Sequence, residues 1–294
     1  MRRAPCLLLL LGTLPLVARA ADAPTGWPAL MRLKADDALR DFAAATPGRE
    51  TDFGRAVALL ARSPVTPEQV AEARGIFTRL ADSGTDDVAQ GARYFLGRIA
   101  QHHLETADPA EAARQYRQLL AEHGDSLWAQ TALTRLALLE LYPDDPAVTP
   151  AAAVAAGERL LAQARLPAAQ SELHLVLADA IFFYRLPAAE ALPHLLAAER
   201  LGRLDRPTRA DVLVQIAEVL ALGGDAAQAR KFYTTFLAEY PLDQRNFMVR
   251  EKLAAGVGRV ADPAACAQMA GSATPPYIRP VAVAPRARRV SVSA

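Results

Sequence analysis

Four dipeptide marks recur along the chain at intervals of about 40 residues: Leu96-Gly97, Leu136-Ala137, Leu177-Ala178 and Ile216-Ala217, each a large aliphatic followed by a small residue. A second series interleaves with them. Ala73 with Phe77, Ala112 with Tyr116, Ala191 with Leu195 and Ala229 with Tyr233 each put a small residue one helical turn before a large one. A small residue on one helix leaves a hole that a neighbour's large side chain fills, so the two series together describe close helix approach repeated down the chain. A single pair of such helices exposes an apolar face, and the units therefore have to stack.

Local signals agree with this reading. Thr66-Pro67-Glu68-Gln69 and Asp108-Pro109-Ala110-Glu111 each supply a capping side chain, a proline at the first helical position and a Gln or Glu three residues after the cap. Thr149-Pro150 repeats the first two elements, and Asp125, Asp225 and Asp243 read as N-caps. Gly124, Pro143, Gly223-Gly224, Pro241 and Gly256 read as stops. Between them run helical stripes such as Ala112, Tyr116, Leu119 and Leu120. No stretch alternates apolar and polar residues at strand spacing, and 52% apolar content with only 6% aromatic suits helices. The expectation is an all-α fold.

From Ala210 to Asp243, the residues Leu213, Ile216, Ala217, Leu220, Gly224, Ala229, Tyr233 and Pro241 fall at the spacing of the tetratricopeptide repeat. The chain resembles that family over about residues 65 to 258, most fully in this unit. Elsewhere the loops are longer, Pro193 interrupts a second helix, and the helix from Pro150 matches poorly. The arrangement is similar to the long-loop repeats of bacterial envelope assembly proteins. The resemblance implies a right-handed α-solenoid of antiparallel helix pairs whose first helices line a concave face that binds a protein or peptide. Mapped onto this sequence, that face comprises Tyr94, Phe95, Arg98, Arg135, Tyr142, Asp179, Phe182, Phe183, Gln215 and Glu218. Of Phe182 and Phe183, one is expected in the core and the other in the binding face. The same mapping sets Arg98 and Arg135 toward one end of the face and Glu172, Asp179, Asp211 and Glu218 toward the other. Two alternatives stay open: a helical scaffold region related to envelope enzymes that act on peptidoglycan, and a structural subunit that self-associates through the solenoid's ends.

The chain opens Met1-Arg2-Arg3, continues through the apolar run Cys6 to Val17 and reaches Ala18-Arg19-Ala20, the pattern of a cleavable signal peptide over residues 1–20. That run is shorter than the roughly 20 residues a bilayer span needs, so the mature protein is expected to be exported, periplasmic or secreted, with no transmembrane segment. Cys6 lacks the preceding residues of a lipidation site, which leaves Cys266 as the only cysteine of the mature chain and no intramolecular disulfide. Residues 21–64 are expected to cap the array, with two helices between Trp27 and Ser63. Residues 65–258 carry the repeats. Residues 259–294 form a tail with Pro275, Pro276, Pro280, Pro285, Arg279, Arg286, Arg288 and Arg289 and no acid after Gly271, expected to be disordered. A formal net charge of +1 gives no reason to propose a nucleic acid as partner.

Signatures of catalysis are missing: no G-x-S-x-G, no G-x-x-x-x-G-K, no H-E-x-x-H. Gly256-Val257-Gly258-Arg259-Val260-Ala261 matches a dinucleotide fingerprint by letter but follows a helix, and reads as a helix stop. His102 and His103 point about 100° apart on a helix and cannot easily share a metal, and His174 has no second ligand at metal spacing. Asp86-Asp87 and Asp144-Asp145 lie beside helix starts, where capping explains them. No catalytic residue, cofactor or metal is expected, and Cys266 shows no activating neighbour.

Overall fold

The computed structural model describes residues 26–257 and places thirteen helices, and no strand, among them. The segments expected to be a signal peptide (residues 1–20) and a tail (residues 259–294), and with the latter Cys266, lie outside the described residues. Capping chemistry sets most boundaries. At α4 (Pro67–Asp82) the Thr66 hydroxyl accepts the Gln69 N–H at 3.3 Å, while the Gln69 side chain accepts the Thr66 N–H at 3.0 Å. Caps of this kind contribute about 1 kcal/mol each. Asp108, Thr149 and Asp225 cap α6 (Pro109–His123), α8 (Pro150–Leu161) and α12 (Ala226–Glu239) through the single bond from the N–H three residues on.

Four local expectations change. The Ser126 hydroxyl, not Asp125, caps α7 (Leu127–Leu141), because it reaches the Ala129 N–H at 3.1 Å. Asp243 lies too far ahead of α13 (Asn246–Ala255) to cap it and instead accepts from the Arg245 N–H and guanidinium. Residues 27–60 form three helices rather than two, α1 (Trp27–Met31), α2 (Ala35–Ala44) and α3 (Arg49–Leu60), with Leu33 in the left-handed region (φ 59°) closing the first turn. Nothing in the sequence advertises that turn, since Leu33 has neither a glycine's freedom nor a cap. Finally, α10 (Ala188–Leu201) runs through Pro193 unbroken. The ring removes one backbone donor, but Ala191, Leu195 and Ala198 are fully buried around it, and packing holds the helix together.

Consecutive helices pack on one another along the chain, and α3, α5 (Asp87–His102), α7 and α9 (Pro167–Phe183) also touch in sequence, side by side, as in a solenoid of helix pairs. The repeated marks are the seam of this stack. Ala73, Phe77, Ala112, Tyr116, Ala191, Leu195, Ala229 and Tyr233 are all at most 1% exposed. A Cβ on Gly97 would stand 2.4 Å from the Tyr116 ring, so the tyrosine of α6 fills the hole that the glycine of α5 leaves. The first series continues upstream in Val57-Ala58 of α3, with Ala58 fully buried. The poorly matching α8 has Ala153 and Gly157 where the other second helices carry a small residue and a large one. A Cβ on Gly157 would lie 2.8 Å from Leu177 and 2.9 Å from Leu141, so here the flanking helices supply the large side chains. That inversion hides the unit from a pattern built on the others.

Buried Gln130 secures this unusual unit. Its amide donates to the carbonyls of Gly124 (2.7 Å) and Gln163 (3.3 Å), and its oxygen accepts the N–H groups of Arg165 (2.6 Å) and Leu166 (3.1 Å). All of its polar capacity is used, so a buried amide ties the α8–α9 turn to α7 at no desolvation penalty. The apolar interior divides into two clusters that meet at α9, where Leu173, Leu177 and Ala180 join the N-terminal one and Ala178 and Ile181 the C-terminal one.

Candidate functional site

Along α7 and its C-cap residue, Arg135, Leu139 and Tyr142 recur at helical spacing and are half-buried. On the neighbouring α9, Glu172, Val176, Asp179 and Phe183 form a second row at helical spacing, the first two half-buried and the last two exposed. The rows run side by side. The Thr134 hydroxyl donates to the Glu172 carboxylate at 3.0 Å at one point, and the Tyr142 and Phe183 rings meet edge to face 5.1 Å apart further along. The two helices therefore present one continuous furrow.

An aromatic cluster marks the carboxyl end of that furrow. Phe183 is 51% exposed and packs on Tyr142 and on Tyr184, whose ring lies 5.1 Å away. The Tyr184 hydroxyl donates to the Leu141 carbonyl at 2.5 Å, occupying an acceptor at the end of α7. The backbone directs these rings: after Tyr184 the chain turns left-handed at Arg185 (φ 55°), with the N–H of Arg185 bonded to the Phe182 carbonyl and that of Leu186 to the Ile181 carbonyl. This is the Schellman ending, in which glycine is usual and a side-chain-bearing residue costs about 1–2 kcal/mol. Asp179 sits one turn before the cluster, open to solvent and without an ion pair among the described residues. Burial nonetheless pushes its carboxyl above the usual range, as it does for a group on the floor of an open furrow. Burial first, then the nearby Asp179 and Tyr184, pushes the Tyr142 phenol up to about 12.

Other residues of the expected face are placed differently. Tyr94 and Phe95 are 4% and 3% exposed and belong to the N-terminal core, stacked among Trp128, Phe77 and Tyr116, so they cannot take a ligand. Phe182 turns into the C-terminal core, leaving Phe183 as the exposed ring of the pair. Arg98 is 3% exposed. Arg135 is largely desolvated, but Tyr94, Tyr116 and Glu172 around it outweigh that burial and raise its guanidinium further. Glu218 pairs with Lys252 of α13, Asp211 with Arg245 at 2.5 Å, and Gln215 lies half-buried on the same helix, α11 (Arg206–Leu222). The expected gradient from arginines to acids is therefore not what the fold builds. Arg135 sits beside Glu172, Arg245 and Lys252 neutralise the two far acids, and the unpaired negative charge of the furrow is Asp179.

The structure also assembles a cluster the sequence scatters. His194 Nε2 lies 2.9 Å from Glu158, and its Nδ1 lies 3.0 Å from Nδ1 of His174, joining α8, α9 and α10 at the boundary of the two cores. Facing nitrogens at that distance require one to carry a proton and the other to lack it. His174 thus does meet a second histidine, across a helix interface 20 residues away in sequence. No group of three or more His, Cys, Asp or Glu among the described residues could hold a metal ion. A separate cleft of about 850 Å³ beside α4, lined by Val70, Arg74, Thr78, His103, Leu104 and Glu105, contains none of the expected residues. No helix among the described residues is long and apolar enough to cross a membrane.

The tetratricopeptide repeat family model matches residues 211–243, which are most of α11 and all of α12. None of the curated proteins matches the chain. With the stacked helix pairs, that match makes this a tetratricopeptide-like repeat protein.

Proposed function

We propose that the chain is an exported scaffold that holds a protein or peptide in the α7–α9 furrow, anchored on Tyr142, Phe183 and Tyr184 and oriented by Asp179. A repeat of this kind suggests protein–protein interaction in general; export rests on residues 1–20. The observation that carries the furrow is Phe183, a half-exposed ring packed on two tyrosines beside an unpaired carboxylate. Burying such an apolar anchor releases more free energy than its rim contacts do, whereas the carboxylate selects a cationic group and sets direction. Asp179 and the tyrosine edges favour a segment that presents a Lys or Arg next to an apolar residue.

Affinity capture from the native source tests this reading, comparing the parent chain with a second chain carrying Phe183→Ala and Asp179→Arg. The expected result is a protein bound by the parent and depleted at least about tenfold with the double variant, which corresponds to about 1.4 kcal/mol. Leu222→Ala, an exposed apolar residue elsewhere, should leave capture unchanged. Equal capture by the parent and the double variant would remove the furrow from the function. The mass of the recovered chain should correspond to a start at Ala21, and an intact Met1 would remove export.

A further inference from the structure

The charge of this chain is unevenly divided. Residues 26–257 carry 25 Lys and Arg against 30 Asp and Glu, whereas residues 258–294 carry five arginines against one aspartate. The furrow offers exposed aromatic surface and a carboxylate that no cation of the described residues satisfies. Residues 275–289 hold the complementary chemistry: Pro275, Pro276 and Tyr277 followed by Arg279, then Arg286, Arg288 and Arg289. Prolines lie flat on aromatic rings, and a guanidinium stacks on a ring face while bonding a carboxylate beside it.

We propose that residues 275–289 are an occupant of this face, docking in cis on the Tyr142–Phe183–Tyr184 cluster with an arginine at Asp179. The inference rests on the reading of this furrow as the binding surface. Geometry permits it. Seventeen residues separate Val257 from Pro275, a reach of up to about 60 Å when extended. The path from α13 across α12, α11 and α10 to α9 is four helix spacings, roughly 40 Å. A tether of this length holds the segment at an effective concentration near millimolar, so a few exposed contacts suffice to keep it bound. A partner supplied from outside must then compete with it, which makes occupancy of the furrow sensitive to partner concentration and to salt.

The test uses the full chain with a photoreactive residue at position 183, irradiated at high dilution, digested and read by mass spectrometry. The expected product is an intrachain adduct within residues 275–289. It should fall at least about fivefold when Arg279, Arg286, Arg288 and Arg289 are replaced together by Ser, and by a similar factor at high salt. That same variant should capture a native partner more strongly than the parent does. An adduct found only in crosslinked dimers would make the occupant a second copy and overturn docking in cis. An adduct indifferent to the arginines would overturn recognition by charge. Partner capture with no tail adduct overturns this inference and leaves the reading of the furrow intact; absence of both removes the furrow itself.

Discussion

The two apolar cores on either side of α9 are built differently. In the N-terminal one, Phe53 is a hub whose ring meets Trp27, Phe77, Phe95 and Trp128 at centroid distances of 5.7 to 6.1 Å. Phe77 and Phe95 stack beside it at 5.1 Å. In the C-terminal core the seam is mainly aliphatic, and its rim is fastened by charge: Arg206 lies 5.4 Å over Tyr240, Arg245 lies 5.2 Å over Phe236, and Arg209 bridges Glu199 and Glu239. Only the second core contains the stretch that the repeat model matches. The same small-against-large seam runs through both, so what distinguishes the N-terminal half is the aromatic network laid over that seam. Regularity of pattern and density of packing are separate properties, and this molecule keeps them in different halves.

The strongest way to break that comparison is Phe53→Ala. Truncating a buried aromatic costs about 3–5 kcal/mol, and in a stack whose units contact mainly their neighbours the loss should stay local. Hydrogen exchange is expected to accelerate in α2 to α7 while α11 and α12 keep their protection. Equal acceleration in both halves would mean that α9 couples the two cores into one cooperative unit.

Ala217→Leu probes the other half and should have a smaller effect. Ala217 is fully buried in the seam of α11, and overpacking such a site costs about 1–3 kcal/mol. A denaturant midpoint identical to the parent's would show that the C-terminal seam has slack and that its regularity is not close contact.

The smallest expected effect is a pH response at the junction. Burial first, then His194 and Arg200, lowers the His174 pKa from 6.5 to about 4. The groups facing it also include Glu158, held by His194. Because the folded pKa is the lower one, the unfolded chain binds the proton first as pH falls. The stability linked to His174 is therefore complete above about pH 6.5 and is lost as pH drops toward about 4. Exchange in α9 and α10 should quicken through that window, and His174→Gln should flatten the response there. His102, lowered to about 4 by burial and then by Arg98, His103 and Arg135, should impose the same slope on α5 and be untouched by that substitution. A slope in α9 and α10 that survives His174→Gln would place the titrating group elsewhere.

Much of the scaffold was legible in the sequence. Thr66, Asp108, Thr149 and Asp225 announced helix starts because a cap is a contact between a side chain and a backbone group three residues away. The seam pairs were legible for a similar reason, since one turn of helix sets their spacing whatever they later touch. Of the residues mapped to the concave face, Tyr142, Asp179 and Phe183 share one face of α7 and α9, whereas Tyr94 and Phe95 are buried. A helical period tells which residues share a stripe but not whether that stripe faces solvent or a neighbouring helix. Tyr184 was missed because its place in the cluster depends on the left-handed turn at Arg185, which no glycine marks.

By itself, then, the sequence determined what a few bonds along the chain can determine: helix boundaries, the small-against-large period and the need to stack. The tertiary structure alone decided which apolar stripe became core and which became furrow, that Gly157 takes its large side chains from α7 and α9, and that His174, His194 and Glu158 meet. Those outcomes depend on how neighbouring helices are offset. That offset is set by the packing of many side chains at once, so no single residue spells it out.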